Sequence, residues 1–315
     1  MKLTYGTAGG LATWAMLLAV TQPAYADFPE SPVTIVVGFG AGGGVDAVSR
    51  SAAVTLSEVL GQPVNIQNQP GAGGGLATTA LLSAQPDGHT IVATTSTTLT
   101  FDPHAQDLAF SVDDFEYLAA FGVFPEALIA LPDRGWATFA DTIEEARENP
   151  DGLNYATTTS IDRVVLAAIA DQEGVSIRPV PTQGGAEAVT QTLGGHVDFA
   201  YSSGAYYAQA EAGELDVLAV FGDERIDGFP DAPTLTELGY DISSLNMVLF
   251  LAPKDIPADV KEKWLEAFAA AAQSEALLAL LDTRNMGSFV PVGDEISDLI
   301  HSQSEQFRAI LDASE

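Results

Sequence analysis

The chain has 315 residues, 47% of them hydrophobic, enough length and apolar content for about two domains with a core each. Its 43 acidic residues face 12 lysines and arginines, a formal net charge of -31, which excludes nucleic acid and anionic membrane surfaces as partners. Cysteine is absent, so disulfides, a thiol nucleophile and thiolate metal ligands are excluded too.

The first residues carry one cation, Lys2, then an apolar run from about Thr7 to Val20 and the segment Thr21-Gln-Pro-Ala-Tyr-Ala26. That is the pattern of a secretory signal cut after Ala26, and it predicts an exported, periplasmic protein rather than one anchored by a short membrane span. Val33–Val37 then reads as an apolar strand running into Gly38-Phe-Gly-Ala-Gly-Gly-Gly-Val-Asp46, and Val64–Gln67 as a second strand running into Pro70-Gly-Ala-Gly-Gly-Gly75. Glycine has no Cβ, so such runs can turn backbone N–H groups toward a ligand, and a following helix adds its own unpaired N–H groups. Read blandly, each run is only a tight strand-to-helix connection.

Helices are predicted over Val45–Leu60, closed by Gly61 and Pro63, and over about Leu76–Ala84, followed by a buried strand Thr90–Thr94. Strand, helix, strand, helix, strand implies right-handed crossovers and a mostly parallel sheet. A second unit of the same kind follows: strands at Leu153–Ala156, Ile177–Val180, His196–Tyr201 and Leu215–Val220, with helices at Ser160–Glu173 and about Ala186–Leu193. The apolar stretches Tyr117–Ala130 and Asn246–Ala252 are long enough to cross between units, as a two-stranded hinge. Two tail helices, about Ala258–Leu281 and Asp294–Ala313, are expected to pack on the first unit. Residues 27–123 with 247–315 thus form one discontinuous lobe and 124–246 the other, after the signal at 1–26.

Taken in order, Ser31-Pro-Val-Thr-Ile-Val-Val37, Gly42-Gly-Gly-Val-Asp46, Gly61-Gln-Pro-Val64, Asn68-Gln-Pro-Gly-Ala-Gly-Gly74, Pro86-Asp-Gly-His-Thr90, Leu153-Asn-Tyr-Ala156, Leu193-Gly-Gly-His-Val-Asp198, Phe229-Pro-Asp-Ala-Pro-Thr-Leu-Thr-Glu-Leu-Gly239 and Leu251-Ala-Pro-Lys-Asp-Ile-Pro257 resemble the substrate-binding proteins of tripartite tricarboxylate transporters, the Bug or TctC family. The resemblance covers nearly all of the chain after the signal. It implies an α/β, two-lobed periplasmic binding protein of the type II kind, which closes on a small organic acid in a cleft between lobes and delivers it to membrane permease subunits.

The resemblance also implies where the ligand sits. On the first lobe the matching positions are Phe39, Gly43, Gly44, Val45 and Asp46. Asp46 reads either as a ligand or water contact or as a first-turn acid facing its own helix dipole. Thr95 and Ser96, past a strand end, are further candidates or plain turn caps. The second lobe departs from the family: where relatives carry Gly-x-Gly-Ser and then His-Leu-Ala, this chain has Thr157, Thr158, Thr159, Ser160, Ile161, Asp162 and Arg163. Their hydroxyls and helix N–H groups could still cradle an anion. Arg163 could add a bidentate contact, or pair on the helix surface with Asp162. Thr182 and Gly184 stand where relatives have Pro-Tyr-Lys-Gly, and Tyr201 and Ser202 follow a strand where they could offer a ring and a hydroxyl, or cap a turn.

Catalysis is not expected. The four histidines lie far apart without metal-ligand spacing, no Gly-x-Ser-x-Gly elbow occurs, and the glycine runs match neither a phosphate-binding loop nor a dinucleotide fingerprint. No cofactor or metal is expected, and the protein is expected to act as a monomer. The altered second loop leaves a less charged polar metabolite open as ligand, and a sensing subunit for a signalling receptor open as an alternative to transport.

Overall fold

The computed structural model describes residues 28–106, 108–182 and 184–313, so the leader segment and its cleavage site lie outside the described residues. Strands β1 (Val33–Val37), β2 (Val64–Asn68) and β3 (Thr90–Thr95) alternate with helices α1 (Gly44–Leu60) and α2 (Gly75–Leu81). Two short helices, α3 (Ser96–Thr100) and α4 (Asp102–Ala105), precede β4 (Phe115–Val123). The second unit contains β5 (Glu126–Ala130), α5 (Phe139–Glu148), β6 (Leu153–Thr157), α6 (Ser160–Glu173), β7 (Ile177–Pro181), α7 (Gly185–Leu193), β8 (Phe199–Ser203), α8 (Tyr207–Glu211) and β9 (Asp216–Val220). The chain then returns through β10 (Met247–Pro253) to α9 (Ala258–Ala272), α10 (Glu275–Thr283) and α11 (Asp294–Ala313).

Two five-stranded sheets result, ordered β2-β1-β3-β10-β4 and β7-β6-β8-β5-β9. In the first, β1, β2 and β3 are parallel, while β10 runs antiparallel to both β3 and β4. In the second, β6 is parallel to β7 and β8, and β5 is antiparallel to β8 and β9. The stretch 117–130, apolar throughout, is therefore not one strand. It breaks at Phe124-Pro125 into β4 of one sheet and β5 of the other, since proline lacks the N–H that a central strand must donate.

This topology sets the position of any site. The chain leaves the first sheet at the end of β4 and re-enters it at the start of β10, and both points lie at the carboxyl end of β1 and β3, because Val248 pairs with Thr95 and Met247 with Val123. It enters the second sheet at Glu126, opposite Ser203 at the end of β8. Both crossings thus join the carboxyl ends of the parallel strands of the two sheets, and those ends look toward the gap between lobes. Open α/β sheets bind their ligands at this end.

Each sheet is covered on both faces, which explains why β3, β5 and β10 are buried almost end to end. On one face of the first sheet, α1 and α9 bury Val48, Leu56, Trp264 and Phe268 with Ile35 and Phe250. The Trp264 indole N–H donates to the Gly88 carbonyl at 3.1 Å, pinning α9 to the turn before β3. The predicted single helix over 258–281 is two helices bent by 60°. Ser274 ends the first and caps the second, its hydroxyl accepting the Leu277 N–H at 3.1 Å, a competing bond that serine offers the backbone.

The last helix does more than cover the first lobe. Ile296 and Ile300 of α11 pack under the first sheet with Leu249 and Leu251. Farther along, Phe307 meets Phe101 edge to face at 5.5 Å, and both rings belong to the core of the second lobe with Leu128, Tyr155, Leu166 and Phe199. Ile310 and Leu311 flank the same cluster, so α11 packs on both lobes.

Candidate functional site

On the first lobe the glycine runs follow β1 and β2. Gly43 is the residue before α1 and is exposed with Gly42, whereas Val45 and Asp46 are buried in its first turn. The first-turn amides of Gly44, Val45 and Asp46 have no acceptor within the helix and point along its axis toward the gap. Gly44 is required by packing as well: a Cβ there would lie 2.7 Å from the Phe124 ring, which the first crossing lays against the start of α1.

Asp46 is fully occupied within its own lobe. Oδ2 accepts the Gly42 N–H at 2.8 Å, Oδ1 accepts the Asn68 amide at 2.8 Å, and the Arg50 guanidinium binds both oxygens from one turn on. The Arg50 bond outweighs desolvation and brings the carboxyl down to about 2. Asp46 thus holds the loop, a role that neither reading from the sequence named, through Arg50 and Asn68 as well as Gly42. Asn68 also donates to the Phe39 carbonyl at 3.0 Å, which ties the end of β2 to the first loop.

The second glycine run acts as a spacer. A Cβ on Gly38 would lie 2.9 Å from the Gly74 Cα, and one on Gly74, whose φ is 97°, would lie 2.3 Å from the Thr94 hydroxyl and 3.1 Å from the Phe39 ring. The two runs therefore lie backbone against backbone, an approach that any side chain would block. Thr95 and Ser96 also sit at this sheet end, nearly or fully buried. Thr95 shares its hydroxyl with Thr97 and Thr98. Ser96 donates to the Leu245 carbonyl at 2.9 Å and accepts the Met247 N–H at 3.0 Å, so it clamps the return crossing.

On the second lobe, the segment Thr157 to Arg163 forms the turn from β6 into α6. Thr159 precedes the helix in a capping box: its side chain accepts the Asp162 N–H, and Asp162 accepts the Thr159 N–H at 2.7 Å and its hydroxyl. This leaves the amides of Ser160 and Ile161 as first-turn donors, the counterpart of Gly44 and Val45 across the gap. Thr158 and Ser160 are half-buried beside them, and Ile161 turns into the core. Thr182 donates to the Thr157 carbonyl at 2.8 Å, and Gly184 opens α7 next to it. Arg163 is exposed and donates to the Ser160 hydroxyl at 3.2 Å, whereas Asp162 is buried in the capping box.

Tyr201 and Ser202, at the end of β8, are completely buried, and neither hydroxyl has a hydrogen-bond partner. Beside them is a residue the sequence reading passed over, Glu126, the first residue of β5 and 3% exposed. Its Oε1 accepts the Asn246 amide at 2.8 Å, and its Oε2 has no partner. Burial raises its pKa, and the neighbouring Asp162 charge raises it further. Asp162 is raised chiefly by burial too, and its Oδ2 is likewise unpartnered. The hydroxyls of Tyr201 and Ser244 face the Glu126 carboxyl without completing a bond of ordinary geometry. The available signal was a lone acid at the head of the otherwise apolar strand Glu126-Ala-Leu-Ile-Ala130. Asn246 stands in the same relation to β10, and its Oδ1 lies 3.4 Å from the hydroxyls of both Ser96 and Thr97.

Two surface cavities, of about 220 and 240 Å3, lie elsewhere, between β4, α4 and α11. Several of their charged groups bond within the walls: Lys261 pairs with Glu116 at 2.8 Å, His301 with Asp113 at 3.0 Å, and Lys254 donates to the Asp113 carbonyl. The sheet ends, with free helix amides on both sides and unpartnered buried oxygens, are the stronger site.

The chain is similar to known proteins along nearly its whole length. The model of the tripartite tricarboxylate transporter family receptor matches residues 48–315. A UPF0065 protein of Bordetella pertussis is 32% identical over 308 residues, covering 96% of this chain and 95% of that protein. Among solved structures, a TctC solute-binding protein from Polaromonas superposes with a TM-score of 0.77 at 25% identity, over 91% of this chain and 99% of that one. MatC from Rhodopseudomonas palustris, solved with bound malate, does so with a TM-score of 0.73 at 24% identity, over 90% of this chain and all of that one.

Proposed function

Since the chain belongs to the tripartite tricarboxylate transporter receptor family, whose members are periplasmic solute-binding proteins and not enzymes, we propose that it captures a small organic acid between its lobes and presents it to the permease subunits of such a transporter. One observation carries the reading. The N-termini of α1 and α6 sit at the carboxyl ends of the two sheets, next to the crossings, each offering first-turn amides toward the gap. Two helix ends of this kind supply hydrogen-bond donors and positive dipole ends to a carboxylate without a basic side chain. The malate in MatC supports a carboxylate as ligand.

In this reading the solute is gripped by Gly43, Gly44 and Val45 from one lobe and by Thr158, Thr159, Ser160 and Ile161 from the other, with Thr95, Thr182, Gly184, Tyr201 and Ser202 lining the walls. Closure about the crossings follows from the ligand contacting both lobes at once, since only the closed form offers both sets of donors. The permease reads that closed form. Thermal unfolding of the exported protein in millimolar malate, succinate, citrate and other organic acids tests the reading. A bound acid raises the melting temperature by mass action, by about 2.7 kcal/mol of stability at one hundred times its Kd. A flat response to every carboxylate would overturn it.

Export through the leader belongs to the same reading. N-terminal sequencing of protein released from the periplasm is expected to begin Asp27-Phe-Pro, and a retained leader would show an anchor instead.

A further inference from the structure

The joint between the lobes consists of two crossings, Phe124-Pro125 going out and 244–246 coming back, and a joint of two independent strands can slide and twist as well as swing. Here they are not independent. The Phe124 N–H donates to the Asn246 carbonyl at 2.9 Å, bonding one crossing to the other. The Asn246 side chain reaches both lobes: its amide N–H donates to Glu126 Oε1 at 2.8 Å, at the head of β5, and its Oδ1 lies 3.4 Å from the hydroxyls of Ser96 and Thr97 on α3. The neighbouring residues are anchored in the same way. Ser96, on the first lobe, holds the Leu245 carbonyl and the Met247 N–H, and the Ser244 N–H donates to the Phe221 carbonyl of the second lobe at 2.7 Å. Asn246, Glu126, Ser96 and Ser244 are all buried, so water does not replace a bond lost here and each break strands a polar group.

We propose that Asn246 is the pivot of the molecule, the residue through which the axis of lobe movement passes, so that the halves swing about it without sliding or twisting past each other. The proposal deepens the capture reading and rests on the lobes moving about these crossings. A rotation whose axis lay elsewhere would carry Glu126 away from Ser96 and stretch the bonds that Asn246 makes to both, whereas a rotation through Asn246 keeps them. An amide suits the place, because the side chain must donate toward one lobe and accept from the other. Burial raises the Glu126 pKa and favours its uncharged form, so the partner on the second lobe holds its place without a counter-ion. The pivot also lies beside the first-lobe amides, since Phe124 packs against Gly44 at the start of α1. It thereby fixes the register in which the donors of Gly44 and Ser160 meet.

The chain has no cysteine, so cysteines introduced at exposed Val54 on α1 and exposed Leu193 at the end of α7 take one spin label in each lobe. The inter-lobe distance distribution of the full exported protein is then read by pulsed electron spin resonance, with no solute added. Asn246→Leu, close in size and unable to make the bonds, is expected to broaden it by about twofold or more, and Ser96→Ala, a milder loss at the same joint, to broaden it less. Glu126→Gln keeps the oxygen that Asn246 uses and is expected to leave the width unchanged. Ile143→Ala, which opens a cavity in the second core away from the joint, is expected to leave it unchanged too, separating a loosened pivot from plain instability. An unchanged width in Asn246→Leu, or Glu126→Gln or Ile143→Ala broadening as far, overturns the proposal. If Asn246→Leu does not fold, Ser96→Ala decides by the same comparison. Because no solute takes part, a failed search for a bound acid leaves this result readable, and the two readings fall separately.

Discussion

Asp46 shows how one side chain can organise the turn between a strand and a helix from within its own lobe. It holds Gly42 at the tip of the turn, Asn68 on the neighbouring strand and Arg50 along the helix, so the position of the first-turn amides depends on it. Its carboxyl is depressed to about 2 in the fold against about 4 in an unfolded chain. The resulting stabilisation is present above the unfolded value and is lost as the pH falls through about 2. Asp46→Ala is expected to cost about 1–2 kcal/mol in urea unfolding at neutral pH, the exposed Arg50 screening part of the pair, and to weaken ligand binding. An unchanged midpoint would show the contacts to be idle. The acid in the first turn could be read in the sequence. Its partner Asn68 could not, because 22 residues separate the two and only loop packing brings them together.

Among elements, the paired glycine runs have the most testable geometry. Gly74 combines a left-handed backbone with a neighbouring hydroxyl where a Cβ would go, and Gly38 faces the Gly74 backbone itself. Gly38→Ala and Gly74→Ala are each expected to destabilise by about 1–3 kcal/mol, whereas Gly40→Ala, with open space around it, is expected to be nearly neutral by the same measurement. The elements themselves were largely legible: alternation and three-and-four spacing marked both parallel units and their helices within a few residues. Two breaks escaped that reading, at Phe124-Pro125 and at Ser274. In both, a local hydrogen-bonding effect, a missing N–H or a competing hydroxyl, interrupts a hydrophobic pattern that continues on either side. The amide-bearing turns could likewise be anticipated from glycine and threonine content, but not the buried Glu126, whose significance depends on β8 and α6 meeting β5 in space.

At the scale of the whole molecule, charge and titration give the clearest expectations. With a formal net charge of -31, raising salt from about 0.1 to 1 M shortens the screening length from about 10 to 3 Å and is expected to raise the melting temperature of the unliganded protein. Burial pushes Asp102 up to about 6 and raises Glu126, Asp162 and Asp216, while Asp113 raises His301. Groups raised in the fold contribute stability that is complete below their unfolded values and is lost as the pH climbs through the folded ones. His104, lowered by burial, works the other way. Calorimetric scans are therefore expected to show a melting point several degrees higher at pH 5.5 than at pH 8, and the opposite slope would contradict these environments. The two-lobed plan was visible from the repeated strand–helix order, yet the reach of α11 into the second core was not, because apolar spacing marks a buried face without naming the surface that buries it. That reach has a mechanical consequence. Two strand crossings alone would make an axle on which the halves turn freely, but Phe101 and Phe307, both carried by the first lobe, pack together into the core of the second and add a strut that is not continuous chain. Any swing that lifts the strut wets two rings, so the stiffness of the joint is tuned at one side chain. In Phe307→Ala, which is expected to lose about 3–5 kcal/mol of stability, the halves should also stand farther apart in small-angle scattering.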